Sequence, residues 1–422
     1  MSDLLTTRRN RVAAALPLGD VLLVIGAGRP LPFPENTDQT YPFFSHAEYY
    51  YLTELECVDG VVAYDPRDGH WLSFVPTVTE GERVWEGSTQ LPGLPLSDFA
   101  GWLAARPGRP VAQLGVPRPD ITLEPALNAR IREHFHHARR PKDRHEVEFI
   151  RAACAASVAG YARLRQLIRP DITERALQIE LEAEFFRAGG TRTGYGTIVG
   201  TGSNSAVLHF APSERRTRSG DFVLVDAGAA IGRYTADVTR TYVVDAPSPF
   251  QRDLYQVVLS AQERAITRCV PGAEWTDIHL ACAVDLVAGL VSMGVMHGNP
   301  SALVEQEAHT LFFPHGLGHM VGLGVRDASG LAIGRTKNPR PSLRTLRMDL
   351  PLAAGYVVTV EPGLYFIPPL LQDPARRATY RDAVNWPLVD QHLDLGGVRI
   401  EDNILVTAGA PENLTAEIPK TL

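Results

Sequence analysis

The chain has 422 residues, with 41 Lys and Arg against 48 Asp and Glu and a formal charge of −7. That balance argues against nucleic acid as a partner, because no basic stripe offsets the acids. The length accommodates two domains and a large buried core, and no run approaches the roughly 18 consecutive apolar residues of a membrane span, so a cytoplasmic enzyme with no membrane partner is the natural expectation.

The first 135 or so positions alternate short apolar runs with Pro and Gly. Val21–Ile25, Val61–Tyr64, Trp71–Val75 and Val111–Leu114 read as strands, with Pro66-Arg67-Asp68-Gly69 as a turn between two of them. Val21–Ile25 is too short and too far from a basic start to be a signal peptide. A helix is expected over Ser97–Ala105 and another after Leu123, which makes this part a small α/β domain. The pairs Arg8-Arg9, Arg139-Arg140 and Arg215-Arg216 read as solvated surface, and His134, His136 and His137 do not make a convincing metal site. A charged segment with a proline, Ala138–Asp143, sets the expected boundary: residues 1–140 form one domain and 141–422 the next.

Beyond it a long helix is expected from Glu146 to Ile168. A second starts at Asp171, where Asp171 and Glu174 have capping-box spacing, and stops at Gly189-Gly190. Two more, Leu254–Cys269 and Thr276–Met293, flank Pro271-Gly272. The cysteines, Cys57, Cys154, Cys269 and Cys282, have no paired spacing and read as buried apolar residues in a reduced compartment.

Five short segments of the second half carry the chemistry: Phe222–Gly228 with Asp226, Tyr234–Tyr242 with Asp237, Pro314–His319 ending in His319, Thr359–Phe366 with Glu361, and Gly396–Asn403 with Glu401. Taken singly each residue has an ordinary explanation. Asp226 ends an apolar run as a turn residue would, Asp237 shares strand parity with Thr239 and Thr241, His319 could be a core histidine, and Glu361 precedes Pro362-Gly363. Their context changes the odds, because acids set in or beside apolar β-type runs are costly to bury unless cations accompany them.

The order Asp, Asp, His, Glu, Glu in these contexts resembles the "pita-bread" metallopeptidases. Tyr195–His209 and Asp221–Val244 are similar to their proline-specific branch, the group of prolidase and aminopeptidase P, and the likeness spans about residues 145–410. The resemblance implies an α/β (α+β) chain: a creatinase-like N-terminal domain, then a catalytic domain with a curved antiparallel sheet and paired helices. It also implies two divalent ions per subunit, with Asp226 on one, His319 and Glu361 on the other, and Asp237 and Glu401 bridging. An all-carboxylate and imidazole set without thiolates suits Mn²⁺ first, with Zn²⁺, Co²⁺ or Fe²⁺ as alternatives. Glu361 would also shuttle a proton, His209 and His315 would contact the substrate or oxyanion, and Arg399 would orient Glu401, from which it is separated by one residue.

Leu343–Arg347, Tyr365-Phe366-Ile367 and the insertion before Gly396 favour prolidase within that branch, so hydrolysis of Xaa-Pro dipeptides through a metal-bridging hydroxide is expected, in a homodimer. Arg344 would clamp the substrate carboxylate, and Tyr195, Tyr365 and Arg326 would line its site. Arg326 stands where the family usually has His, and it either pairs with an acid such as Asp327 or faces the pocket. Aminopeptidase P, acting on longer Xaa-Pro peptides, is the nearest alternative. Creatinase-type hydrolysis is more distant, and a non-catalytic binding module has no physical need for the full ligand set.

Overall fold

In the computed structural model, which describes residues 3–35 and 38–422, the apolar runs of the N-terminal unit, Met1–Arg139, pair into one five-stranded sheet. Strand Leu22–Gly26 lies between Val61–Asp65, antiparallel to it, and Val111–Gly115, parallel to it. His70–Val75 pairs with Val61–Asp65, and Leu94–Pro95 forms the edge. Leu22–Gly26 is buried along its whole length, as a strand covered on both faces must be. Val24, Val61, Ala63, Phe74 and Phe99 make one apolar cluster there.

Three helices of this unit, Asp3–Ala15, Ala47–Thr53 and Glu80–Trp85, were not expected from the sequence. Asp3–Ala15 hides its signal because what it buries is not an apolar stripe: Arg8 and Arg9 are inside. Arg8 donates to Glu54 Oε1 at 2.9 Å, and Arg9 Nε to the Leu52 carbonyl at 3.0 Å. Arg139 and Arg140 are buried as well, Arg140 through bonds to the Ala328 and Leu331 carbonyls. The solvated-surface expectation for these two pairs is therefore corrected: planar guanidiniums matched to carbonyl groups can be buried where a run of charge suggests solvent.

The second unit, Arg140–Leu422, opens with helix Arg144–Leu167. Asp143 and Glu146 close a capping box on it. The next helix, Glu174–Arg187, is capped by Thr173 and not by Asp171, whose φ of 68° lies outside the helix. Glu174 is thereby released from capping. Its carboxylate accepts from Thr201 N and Oγ1, Asn204 Nδ2, and Ser213 N and Oγ, and so pins the segment that carries His209.

Strands Ile198–Thr201, Phe222–Asp226 and Thr239–Val243 form an antiparallel sheet with Phe222–Asp226 in the centre. Val357–Val360, Asp402–Leu405 and Glu412–Asn413 form another, and Gly363–Tyr365 pairs with Gly397–Arg399. Helices Pro249–Thr267 and Trp275–Ser292 pack over the main core. Among the described residues one helix, Trp275–Ser292, is by length and composition apolar enough to cross a membrane, with a mean hydropathy of 1.3 over 18 residues, although Asp277, His279 and Asp285 interrupt its apolar run. Core packing accounts for that composition, since Trp275, Ile278, Cys282, Leu286, Val287 and Leu290 are all buried. All four cysteines are buried and none forms a disulfide.

Arg240 ties the sheet of Phe222–Asp226 to that of Asp402–Leu405. It is 1% exposed and donates to Asp402 Oδ1 at 2.7 Å, to the Glu401 carbonyl at 2.7 Å and to the Ile418 carbonyl at 2.8 Å. Arg240→Met would leave Asp402, itself fully buried, short of its main cation. Breaking a buried pair from one side costs about 3–5 kcal/mol, so the variant is expected to unfold at markedly lower urea; a midpoint equal to that of the unmodified protein would show that Arg240 is dispensable.

Candidate metal and substrate site

Backbone pairing brings the acids together. Asp226, last residue of its strand, pairs with Ile198 on one side and Thr239 on the other, and Thr239 pairs in turn with Glu401. Adjacent strands lie about 4.8 Å apart, so Asp226, Thr239 and Glu401 stand in one row across three strands. Asp237 is two residues from Thr239 and has its parity, although it lies just before strand Thr239–Val243 and not within it. A second pairing supplies the rest. Met320 bridges Val358, His319 N is bonded to Thr359 Oγ1, and Glu361 N to the Leu317 carbonyl, which sets His319 beside Glu361.

The five residues line one cavity of about 510 Å³, shared with Tyr195, His209, His315, Arg326, Arg347 and Arg399. His319 Nε2 is 3.4 Å from Asp237 Oδ2 and 3.7 Å from Glu361 Oε1. Its Nδ1 lies 3.0 Å from the Met320 carbonyl, so a proton there leaves the Nε2 lone pair facing the acids. Burial holds His319 down at about 4. It is therefore a neutral imidazole, as ligation requires.

The acids do not suit one another. Burial first, then Asp226, pushes Asp237 well above the carboxylate range; burial, then Asp237 and Glu361, does the same to Glu401. Burial raises Glu361 to about 7 against the opposing charge of Arg399. Glu401 Oε1 is buried with no hydrogen-bond partner among the described residues, and one donor atom each from Asp237, His319 and Glu401 falls within 4.8 Å of the others. An orphaned oxygen in a crowd of carboxylates beside a neutral imidazole is the donor chemistry of a hard divalent cation.

The surrounding hydrogen bonds depart from several expectations. Arg399 bonds Asp226 Oδ2 at 2.7 Å and reaches Glu401 through Thr239: its Nε donates to Thr239 Oγ1 at 3.1 Å, and that hydroxyl donates to Glu401 Oε2 at 2.6 Å. The reason is register: Arg399 ends strand Gly397–Arg399, which pairs with Gly363–Tyr365, while Glu401 sits beside Thr239. Tyr195 OH donates to Asp226 Oδ1 at 2.6 Å. Asn403 frames Asp237 from behind, accepting from its N–H at 3.0 Å and donating to its carbonyl at 2.5 Å.

Tyr365 is not a substrate contact. It is fully buried, and its hydroxyl lies 2.9 Å from both His315 Nε2 and Arg399 Nη1. His315 borders the cavity, but both ring nitrogens are engaged, Nδ1 with the Gly316 carbonyl at 2.9 Å. His209 also borders it, is exposed, and has no hydrogen-bond partner among the described residues. Burial, then the charges of Arg347 and Arg326, lowers its pKa.

Arg344 sits on an exposed 3₁₀ turn, Leu343–Thr345, away from the cavity lining, and it is Arg347, three residues on, that lines the cavity. Leu346 leaves the helical region at φ −59°, ψ 129°. That change of direction separates two arginines that the motif Leu343–Arg347 makes look equivalent. The onset of strand Met348–Asp349 immediately after Arg347 was the available signal. Arg326 lines the cavity, while Asp327 is bonded to Lys142 instead.

The model of metallopeptidase family M24 matches residues 148–408, and that of the aminopeptidase P N-terminal domain matches residues 5–92. The chain is 30% identical to a probable Xaa-Pro aminopeptidase of Tuber melanosporum, over 90% of this chain and 86% of that one. It is 32% identical to another, of Talaromyces stipitatus, over 96% and 87%. Among solved structures it resembles proline aminopeptidase P II from Yersinia pestis, with a TM-score of 0.79 and 26% identity over 100% of this chain and 98% of that one. Zn-substituted E. coli aminopeptidase P in complex with product gives 0.79 and 26% over 100% and 96%.

The raised acids set a pH dependence. A carboxyl whose pKa is higher in the fold than in the unfolded chain favours the fold while protonated, and that contribution is lost as pH rises through the folded value. With Glu361 at about 7 and Asp237 and Glu401 also raised, the metal-free protein should lose Tm as pH climbs from 5 to 8. Divalent cations favour the ionised acids and reverse the loss. Thermal scans with Mn²⁺ and with chelator should therefore separate progressively over that range; a separation that stays constant or shrinks would contradict the electrostatic account.

Proposed function

The chain belongs to metallopeptidase family M24, and we propose that it acts there as an Xaa-Pro aminopeptidase, releasing the first residue of peptides that have proline second. The observation that carries this reading is the convergence of Asp226, Asp237, His319, Glu361 and Glu401 on one cavity, in a chain whose relatives over nine-tenths of its length are named Xaa-Pro aminopeptidases. This replaces the expectation of a dipeptidase. Of the features that favoured prolidase, Arg344 is outside the cavity lining and Tyr365 is buried behind His315. A cytoplasmic homodimer is the setting proposed, on the resemblance alone.

The five residues would hold two divalent cations, Mn²⁺ first, with Asp237 and Glu401 shared between them. When bound, such a pair lowers the pKa of water and polarises a carbonyl. The remaining work belongs to the chain. Glu361, on the cavity beside the bound cations, is placed to accept a proton from the attacking water and to deliver it to the leaving nitrogen. That delivery is obligatory, because the amide nitrogen of a prolyl bond has no hydrogen of its own. His209, with no protein partner among the described residues, is free to hydrogen-bond the carbonyl oxygen as charge develops. The chain of contacts Arg399–Tyr365–His315 makes a rigid wall: Arg399 fixes Asp226, and His315 is held edge-on by Tyr365.

Two variants separate the roles. Asp237→Asn should lower metal content and activity together, since it removes a shared ligand charge. His209→Ala should leave metal content intact and reduce kcat on Ala-Pro-Ala by about 10²-fold. Metal analysis with release of free alanine reads both. Cleavage of Ala-Pro with no action on longer Ala-Pro peptides would restore the dipeptidase reading, and full activity of Asp237→Asn at normal metal content would remove the two-metal one.

A further inference from the structure

Lys142 and Asp327 pair out of contact with solvent. Lys142 Nζ lies 2.7 Å from Asp327 Oδ2, and both side chains are 0% exposed. Taking two charges out of water is costly, and well-packed apolar residues of similar volume are often as stable or more so. Stability by itself is therefore a weak reason for this pair. Its surroundings supply a stronger one.

Each partner holds a different part of the molecule. The Lys142 N–H donates to the Gly355 carbonyl at 2.8 Å, just before strand Val357–Val360, and its ammonium also donates to the Arg140 carbonyl at 3.1 Å. Asp327 closes the loop 320–327 that follows His319. Its N–H donates to the Met320 carbonyl at 3.1 Å, and its Oδ2 accepts from Leu323 N at 3.3 Å. The pair packs directly against Gly322, where a Cβ would meet Asp327 Oδ2 and Lys142 Cε at 2.6 Å. Only glycine lets the loop lie so close to it.

Two candidate ligands depend on that loop. The Met320 carbonyl, held by the Asp327 N–H, is also the acceptor for His319 Nδ1 at 3.0 Å, and this bond decides which ring nitrogen is left for a cation. Further along the loop, the Gly322 carbonyl accepts from Thr235 N at 3.0 Å, two residues before Asp237. We propose that Lys142 and Asp327 are positioning residues for the cation site. Their buried pair fixes the loop 320–327, and through the Met320 carbonyl it aims His319 Nε2. Lys142, although outside the candidate ligand set, thereby governs how tightly the cation on His319 is held. This rests on the two-cation reading above. Residues that orient a metal ligand from behind contribute about 10- to 100-fold to metal affinity.

The test separates folding from metal binding. Lys142→Met alone would leave Asp327 buried and uncompensated, so the informative protein carries Lys142→Met together with Asp327→Leu, which removes both charges at once. Its urea midpoint should stay close to that of the unmodified protein. In titration calorimetry it should bind Mn²⁺ about 10- to 100-fold more weakly at one of two sites, and with Co²⁺ instead its visible absorption should shift, because the ligand geometry at His319 changes. On Ala-Pro-Ala, saturating Mn²⁺ should restore most of kcat with KM unchanged. Unchanged Mn²⁺ affinity and an unchanged Co²⁺ spectrum in the double variant overturn the proposal. Loss of metal affinity together with a collapse of the urea midpoint overturns it too, since the pair would then serve stability only. Failure of the earlier readings looks different. No tight Mn²⁺ binding by the unmodified protein removes the two-cation site and this role with it, whereas weakened Mn²⁺ binding by the variant, with no Xaa-Pro peptide cleaved by the unmodified protein, sinks the peptidase reading and leaves the positioning role standing.

Discussion

Repulsion among buried carboxylates is the constraint on which the second unit is built. Asp237 and Glu401 are 4% and 1% exposed, with Asp226 and Glu361 on the same cavity, and nothing in elementary packing favours placing them together. What holds them is the strand register that sets Asp226, Thr239 and Glu401 abreast, reinforced by hydrogen bonds that fix the direction of the acids and, at Asp226, by an ion pair with Arg399. Thr239 grips Glu401, Tyr195 and Arg399 grip Asp226, and Asn403 grips the backbone of Asp237. A site that keeps its ligands in place before the cation arrives spends less of the binding energy on ordering them.

Maintaining that register takes a second set of buried charges. Arg240 joins Thr239, Glu401 and Asp402 to the C-terminal segment at Ile418, and Asp402 is satisfied further by Gln262, Thr415 and Lys420. Arg240, Asp402, Gln262, Thr415 and Lys420 are not among the residues that line the cavity. They secure the sheet edges from which the ligands project, and Glu174 does the same for the segment bearing His209 through its five accepted bonds. Fully satisfied buried networks of this sort are costly to break at any single member.

The cavity carries both signs of charge. Asp226, Asp237, Glu361 and Glu401 line it together with Arg326, Arg347 and Arg399, and such a distribution supplies specificity more than raw affinity. His209 lines the same cavity, where burial and the charges of Arg347 and Arg326 hold its pKa below the ordinary imidazole value.

By itself the sequence marked out the five candidate ligands, through their order and the family resemblance it carries, together with the α/β character and the four long helices of the second unit, whose apolar positions recur at helical spacing. The helix Asp3–Ala15 left no such trace, since it buries Arg8 and Arg9 where an apolar stripe would be sought. Tertiary structure alone decided which arginine meets the cavity. Arg344 and Arg347 stand in one short motif and both are exposed, but after the turn at Leu346 only the second lines the cavity. It likewise decided that Tyr365 lies behind His315, that Arg399 serves Asp226, and that Asp327 belongs to Lys142 and leaves Arg326 unpaired. The reason is the same in each case. Residue type and spacing fix what a side chain can do, but its partners come from strands and loops distant in the chain, and cross-strand register has no local signature.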